Sequence, residues 1–444
     1  MKTKFSILIA LIAFSFSGFS QKKWDLKEAV EHAIKNNISI KQQALNLESF
    51  KEDVVGAKGN FLPNLNASSG ANLNFGSTID PVSNGRISST SFSSSYSLRS
   101  GITVFNGFSL LNSYKNSQLN VLGSKLDLQI IKDDVSLNVI NSYLNILFAK
   151  ENLAVARVQA EISKKQIEVA KNQVEAGSKP KGELLNAQSA YANDLQTVVS
   201  LENTLNIALL GLAQLLQVDT NNFDVARIDV GAPSASLLFK SPDAVYKNAV
   251  ANRPEILKAK IGIQQSKLNL EIAKSGFLPT VTASASAGTN FSHRFTIFQG
   301  QRNDYFFKQL NDNFGYGVGL SLSIPIFNRY QNKVNVNKSK IGIERSELSL
   351  ESAKLSIQQT IQRAFLDAKA ALKSYEAAKL SLTAQQEAFK NAQQRYTFEA
   401  ITSFEFDQVR NRLVNAESTL IRAKYDYVFK TKVLKFYNGE SILD

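Results

Sequence analysis

Residues 57–75 read AKGNFLPNLNASSGANLNF, and residues 273–291 read AKSGFLPTVTASASAGTNF. The second stretch lies 216 positions after the first, and the match extends upstream without a gap. Ala33, Asn36 and Ile40 fall on Ala249, Asn252 and Ile256, and the fifty pairs from Leu26 onward hold 14 identities. Self-similarity at a fixed shift reports architecture rather than composition. A second correspondence follows at a shift of 222: Phe105-Asn106 falls on Phe327-Asn328, Val174–Gly177 on Tyr396–Glu399, and Glu183 on Glu405. The chain therefore reads as two copies of one unit, residues 21–235 and 236–444. Each runs helix, FLP, strand, loop, strand, Phe-Asn, very long helix, break, helix.

The segments after each FLP and before each Phe-Asn alternate with period two. Phe314, Tyr316, Val318, Leu320, Leu322, Ile324 and Ile326 share one face, and Gly315, Gly317, Gly319, Ser321 and Ser323 the other. Tyr96, Leu98, Ile102 and Val104 oppose Ser97, Arg99, Gly101 and Thr103, and Val281, Ala283, Ala285 and Ala287 oppose Thr282, Ser284, Ser286 and Gly288. A weaker set places Leu65, Ala67, Ala71 and Leu73 against Asn66, Ser68, Gly70 and Asn72. Strands of about ten residues, apolar on one face and small and polar on the other, fit an outer-membrane barrel with a wet lumen. A half-buried soluble sheet shows the same alternation. The hairpins span 62–107 and 278–328, with polar rim loops expected at 76–91 and 292–313. Four strands cannot close a barrel, the smallest having about eight, so several chains must contribute.

Ser109 to Ala176 and Tyr330 to Phe398 contain no proline. At about 1.5 Å per residue, sixty-odd residues span on the order of 100 Å. Shorter helices are expected at 181–216 and 402–436. Val409, Leu413, Ala416, Leu420, Ala423 and Tyr427 step by three and four, as do Leu137, Ile140, Leu144 and Leu147, which is coiled-coil spacing. The breaks at 174–183 and 396–407 read as hairpin tips. Gly177 suits a helix C-cap and Pro180 a helix start. The second tip has no glycine, and Thr402 or Ser403 can cap its outgoing helix.

Lys2 and Lys4 precede an apolar run from Phe5 to Phe16, and Gly18 and Ser20 stand at −3 and −1 before Gln21. This is the pattern of a signal peptide over 1–20. No other stretch reaches the apolar length of a membrane helix, so any membrane insertion is expected through β-strands. There is no cysteine, which excludes disulfides and thiolate chemistry. Subtracting Lys2 and Lys4 from the formal charge of +13 leaves +11, scattered among Glu, Gln and Asn rather than blocked as in a nucleic-acid site. His32 and His293 are the only histidines, and neither has metal-ligand spacing. No phosphate loop, dinucleotide fingerprint or nucleophile elbow is present. The expectation is no enzyme, no cofactor and no nucleic-acid partner.

The doubled Ala33/Asn36 and Ala249/Asn252 start, the two FLP triplets, the two Phe-Asn pairs and the tip segments resemble the TolC family of outer-membrane efflux proteins. The resemblance implies an α+β membrane protein with an internal two-fold repeat. A trimer would build a twelve-stranded barrel from four strands per chain, continued by a long α-helical coiled-coil tunnel in the periplasm. It implies an outer-membrane exit duct for a tripartite efflux pump or type I secretion system. The partners would be an inner-membrane transporter and a periplasmic adaptor docking at the tips, near Ala176, Gly177, Ser178, Phe398, Glu399 and Ala400. In related channels a tip tyrosine bonds an aspartate on a neighbouring hairpin and helps hold the tunnel shut. Tyr396 matches that tyrosine and Glu183 the carboxylate; packing and a solvated charge are the plainer roles for the two. Ile401 stands where the best-known members have an arginine. Glu405 matches one of the family's ring-forming carboxylates and Gln408 replaces the other, with Asp407 close by. A secreted or surface coiled-coil adhesin would account for the helices but not for strands inserted between them twice.

Overall fold

The elements follow one another as β1 (Lys23–Trp24), α1 (Leu26–Asn36), α2 (Ile38–Gly59), β2 (Asn64–Ile79), β3 (Arg86–Asn106), α3 (Ser109–Glu175), α4 (Lys181–Leu216) and β4 (Asp224–Val225). After these come α5 (Pro242–Asn252), α6 (Pro254–Ser275), β5 (Thr280–Arg294), α7 (Phe306–Asp312), β6 (Gly315–Ser323), α8 (Gln331–Thr397) and α9 (Ser403–Tyr437). The computed structural model describes residues 23–79, 84–228, 239, 241–295, 303–398 and 400–440. The expected signal peptide and Glu399 lie outside them. The chain divides into two compact units: Met1–Leu45, Leu126–Leu257 and Glu351–Asp444 form one, and Asn46–Lys125 and Lys258–Leu350 the other. Each unit draws on both halves of the sequence.

In the second of these units, the repeated motifs are turns. Phe61 N donates to Lys58 O at 3.2 Å and Leu62 N to Gly59 O at 2.9 Å; Phe277 and Leu278 bond Lys274 and Ser275 in the same way, at 3.1 and 2.9 Å. Pro63 and Pro279 then have no N–H with which to continue the helix, and the chain turns extended. At the exit of each hairpin, the Phe-Asn asparagine accepts a backbone N–H four residues on. Leu110 N donates to Asn106 Oδ1 at 3.2 Å, and Asn332 N to Asn328 Oδ1 at 3.5 Å. Both asparagines are followed by two left-handed residues, Gly107 and Phe108 at φ 64° and 67°, Arg329 and Tyr330 at 55° and 62°.

The sheet is antiparallel in the order β2-β3-β5-β6. Its register carries one apolar face across all four strands. Ala67 stands opposite Leu98, Leu98 opposite Ala287, and Ala287 opposite Tyr316. A bulge between Thr103 and Phe105 brings Phe105, rather than Val104, opposite Val281. The other face pairs Ser68 with Ser97, Ser97 with Gly288, and Gly288 with Gly315. Arg99 is its one charged residue between Gly101 and Ser91 of β3. The apolar face has no protein cover over much of its extent: Val318 is 88% exposed and Leu320 73%.

The strands depart from the expected ten residues. They hold 16, 21, 15 and 9. The rim loop expected at 76–91 is mostly ladder, which continues to Ile79 opposite Arg86. Its serine-rich composition looks like loop, yet backbone pairing needs only N–H and C=O groups, and Ser and Thr supply them. The loop expected at 292–313 gives its first residues to β5 and contains α7.

In the first unit, β1 and β4 form a short parallel pair, with Trp24 opposite Val225. Around it Val30, Val139, Ile140, Ile146, Leu212 and Leu216 are sealed from solvent. Each such side chain contributes about 1.5–3 kcal/mol of burial free energy. Tyr143 Oη lies 2.8 Å from Ala226 O and 3.0 Å from Trp24 O, so one hydroxyl tethers both strands to α3. Burial pushes this phenol above the ordinary tyrosine range.

The long helices show the expected three-four stepping: Ile357, Ile361, Ala364, Ala368 and Ala371 are buried in α8, and Leu153, Ala156, Ala160 and Ser163 in α3. In α9 the register differs near the tip, where Arg410 is buried and Val409 is only half-buried. A further correction concerns α4, which is long and apolar enough to cross a membrane by length and composition. The apolar surplus lies partly on an outward stripe, with Leu185, Val199 and Ile207 exposed, while Leu212, Ala213 and Leu216 enter the core.

Candidate functional site

α3 ends in a glycine-dependent reversal. Gly177 adopts φ 74°, a left-handed conformation that favours glycine. Its N–H reaches Val174 O at 3.0 Å, and Ser178 N reaches Gln173 O at 3.0 Å. Pro180 then precedes α4 in the N-cap position. α8 ends differently. Ala400 N reaches Arg395 O at 2.8 Å, and Thr402 caps α9. Thr402 Oγ1 accepts from Glu405 N at 3.2 Å while Thr402 N donates to Glu405 Oε2 at 2.9 Å. This reciprocal capping box satisfies two helix-end donors. Ala176, Gly177, Ser178, Phe398 and Ala400 are all exposed, Phe398 at 82%.

Glu183, Tyr396, Glu405 and Asp407 line one cavity of about 270 Å³ between the two tips. Glu183 Oε2 accepts from Ser403 Oγ at 2.6 Å, a bond from the first tip to the second within one chain. Tyr396 stacks on Phe406, ring centroids 4.8 Å apart and planes 16° from parallel. The Glu405 carboxylate is turned back onto Thr402, and those bonds hold it below the ordinary glutamate range. Asp407 faces Arg410, with Oδ1 3.3 Å from Nη2. Burial raises its pKa above the ordinary aspartate range, Arg410 lowers it, and Asp194 and Glu183 raise it again.

Arg410 is the residue the sequence did not single out. Its side chain is 3% exposed. Nη1 donates to Ser163 Oγ at 2.6 Å and to Gln166 Oε1 at 3.1 Å, and Nη2 lies 3.7 Å from Asp194 Oδ2. Ser163 Oγ donates in turn to Asp194. With its amide oxygen turned toward the guanidinium, Gln159 accepts from Nε at 2.6 Å. One guanidinium thus joins α3, α4 and α9. The signal available in sequence is the polar run Gln159, Ser163, Gln166 at seam spacing in α3, which only a buried polar partner on another helix explains. Among the described residues no group of three or more His, Asp or Glu side chains could hold a metal ion.

The arrangement places carboxylates and an aromatic ring between two helix reversals. The family described as outer membrane efflux protein matches residues 29–217 and 245–439. The outer membrane efflux protein BepC of Brucella suis is 22% identical over 213 residues, covering 48% of this chain and 44% of BepC. The outer membrane protein TolC of Escherichia coli is 24% identical over 262 residues, covering 57% of this chain and 50% of TolC. The chain spans about half the length of the curated relatives it matches. Among solved structures, CusC aligns with TM-score 0.78 at 17% identity over 96% of each chain. The CmeC outer membrane channel of Campylobacter jejuni aligns with TM-score 0.75 at 18% identity, over 94% of this chain and 87% of CmeC. These likenesses establish the fold.

Proposed function

This chain belongs to the outer membrane efflux protein family, and from that we propose that it is the outer-membrane exit duct of a tripartite efflux pump or type I secretion system, conducting cargo passively and catalysing no reaction. One observation carries the reading. The four-stranded sheet is apolar and exposed on one face, small and polar on the other, and ends in strands β2 and β6 with unpaired outer edges. Lipid can occupy the first face and water the second, and no backbone edge survives in a bilayer unless it is paired.

Closure therefore falls to further copies. Three copies give twelve strands, enough for a barrel, and a homotrimer is the assembly we assign. The helical unit would extend into the periplasm, with energy supplied by an inner-membrane transporter. A periplasmic adaptor would dock at Ala176, Gly177, Ser178, Phe398, Glu399 and Ala400. Glu183, Tyr396, Glu405 and Asp407 would form the constriction, where carboxylates concentrate cations. The halves 21–235 and 236–444 are read as descendants of one duplicated unit. The matched lengths of α3 and α8, 67 residues each, support this, as do the paired left-handed turns at 107–108 and 329–330. A surface adhesin would leave the apolar sheet face without an occupant.

The test is fractionation followed by reconstitution. The protein should sediment with outer membranes, migrate in a heat-modifiable form, and open cation-preferring channels in planar bilayers. Its absence from the outer-membrane fraction sinks the reading.

A further inference from the structure

β6 pairs with β5 only between Gly288 and Thr280, whereas β5 itself runs on to Arg294. Beyond Gly288 the outer edge of β5 is covered by side-chain amides instead of a strand. Asn313 Nδ2 donates to Asn290 O at 2.7 Å. Gln309 donates to Ser292 O at 3.0 Å and accepts from Ser292 N at 3.0 Å. Asn303 does the same for Arg294, at 2.8 and 3.1 Å. These are alternate residues, the ones whose N–H and C=O point away from β3. In water an exposed edge needs no such partners, because solvent supplies them. Where water is scarce every strand group must be matched by protein.

The segment held this way lies on the apolar face. The Phe306 ring centroid is 5.0 Å from that of Phe291 and 6.4 Å from that of Tyr96, and both partners share the face of Leu98 and Ala287. Thr289 Oγ1, on the same face, donates to Leu310 O at 2.6 Å. With Phe306 turned inward, α7 turns other rings outward. Tyr305 is 87% exposed and Phe307 81%, and further along the chain Phe314 and Tyr316, where β6 begins, are exposed as well. Lys308, the one cation between Asn303 and Asn313, is paired with Asp304 and Asp312, each at 3.0 Å.

We propose that α7 is an interfacial anchor: it lies on the outside of the sheet with Tyr305 and Phe307 seated among lipid at the boundary between headgroups and acyl chains. Two independent features point to lipid as the occupant. The amide-capped edge suits a site poor in water, and the outward rings of Tyr305 and Phe307 flank a ring, Phe306, that packs on the lipid-type face, as in the aromatic girdles of outer-membrane barrels. The proposal rests on the channel reading.

The test uses the full chain reconstituted into dioleoyl phosphatidylcholine vesicles, with or without bromine atoms on the acyl chains. Phe307→Trp and Val318→Trp variants are compared with the parent, whose single tryptophan, Trp24, supplies the background. The expected result is loss of the added emission in brominated vesicles for both variants, with weak quenching of Phe307→Trp by aqueous acrylamide. If Val318→Trp is quenched by bromine and Phe307→Trp only by acrylamide, α7 stands in water and the inference is overturned while the channel reading survives. If Phe307→Trp is shielded from both quenchers, a second copy covers α7, and the inference again falls. If neither variant senses bromine, the channel reading fails with it. A Tyr305→Trp variant repeats the measurement at the neighbouring ring and guards against misfolding at position 307.

Discussion

Arg410 Nη1 donates to Ser163 Oγ at 2.6 Å, joining α9 to α3 across 247 residues of chain. Removing this guanidinium leaves Asp194 and Asp407 in a poorly solvated site without their shared cation. Breaking a buried ion pair from one side costs about 3–5 kcal/mol. Because both carboxylates keep some solvent, we expect the lower end for Arg410→Met. Thermal melting should show the loss, and limited proteolysis should show earlier cleavage near Ala400. Asp194→Asn in the same chain should restore part of the stability, since it removes one of the stranded charges.

Asp407 gives a pH signature of defined sign. Its folded-state pKa is raised, chiefly by burial, so the folded chain binds the proton more tightly than the unfolded one. Stability contributed by this group therefore increases as pH falls from above the folded value toward the ordinary aspartate value near 3.8. Asp407→Asn should flatten that part of the melting-temperature profile and be tolerated at neutral pH. Glu405 has the opposite sign. Its value is lowered by Thr402, so its contribution is present above the ordinary glutamate value and lost as pH falls through the folded one. Thr402→Ala removes the hydroxyl but keeps the backbone N–H on Glu405, so it should weaken that acid-side loss without abolishing it and cost about 1 kcal/mol as a lost N-cap.

The tip cavity yields a functional prediction. Glu183 accepts from Ser403, and Tyr396 stacks on Phe406. If these contacts help to hold the constriction narrow, Tyr396→Phe combined with Glu183→Gln should raise single-channel conductance in planar bilayers. Unchanged conductance would remove both residues from the gate.

Neighbouring positions on β6 should respond oppositely to the same charge. Leu320 belongs to the exposed apolar face, and Ser321 pairs with Thr282 on the polar one. An arginine on the lipid side of an outer-membrane barrel costs about 2–4 kcal/mol near the midplane. Leu320→Arg should therefore deplete the heat-modifiable form, whereas Ser321→Arg should assemble and lower cation preference.

Gly107 is a conformational requirement. At φ 64° an added Cβ would sit 2.8 Å from Leu278 Cβ and 3.0 Å from Ser275 Cβ. Left-handed strain costs about 1–2 kcal/mol, and crowding adds to it. Gly107→Ala should lower the urea midpoint, while Gly123→Ala, with open space around the new methyl group, should not.

These residues also show what a sequence can and cannot disclose. The long helices are legible because proline is absent and apolar residues step by three and four. The sheet is legible because one residue of alternation decides which face a side chain takes. The strand ends are not, since Ser88 to Ser95 have loop-like composition yet stand in the ladder. Nor is α7 legible as a strand substitute, because the roles of Asn303, Gln309 and Asn313 exist only once β5 has outrun β6. Arg410 is not legible either, because a charge at a seam position looks like a solvent-facing residue until Ser163, Gln159 and Asp194 surround it. Gly177, Pro180 and Thr402 make the helix breaks legible; the partners of Asp407 and Glu405 depend on side-chain directions that spacing does not fix.

The two unpaired outer edges of the sheet, on β2 and β6, bear on genetics as well as on architecture. If other copies pair with those edges, as proposed, each chain shares its fate with its neighbours. A variant that keeps both edges but carries a damaged tip would still be recruited into rings with normal chains and would disable them, so such alleles should be dominant over the normal gene. A variant with a ruined edge would be excluded from rings and should be recessive. The class of an allele in a strain carrying both copies would thus report on which part of the chain it damages.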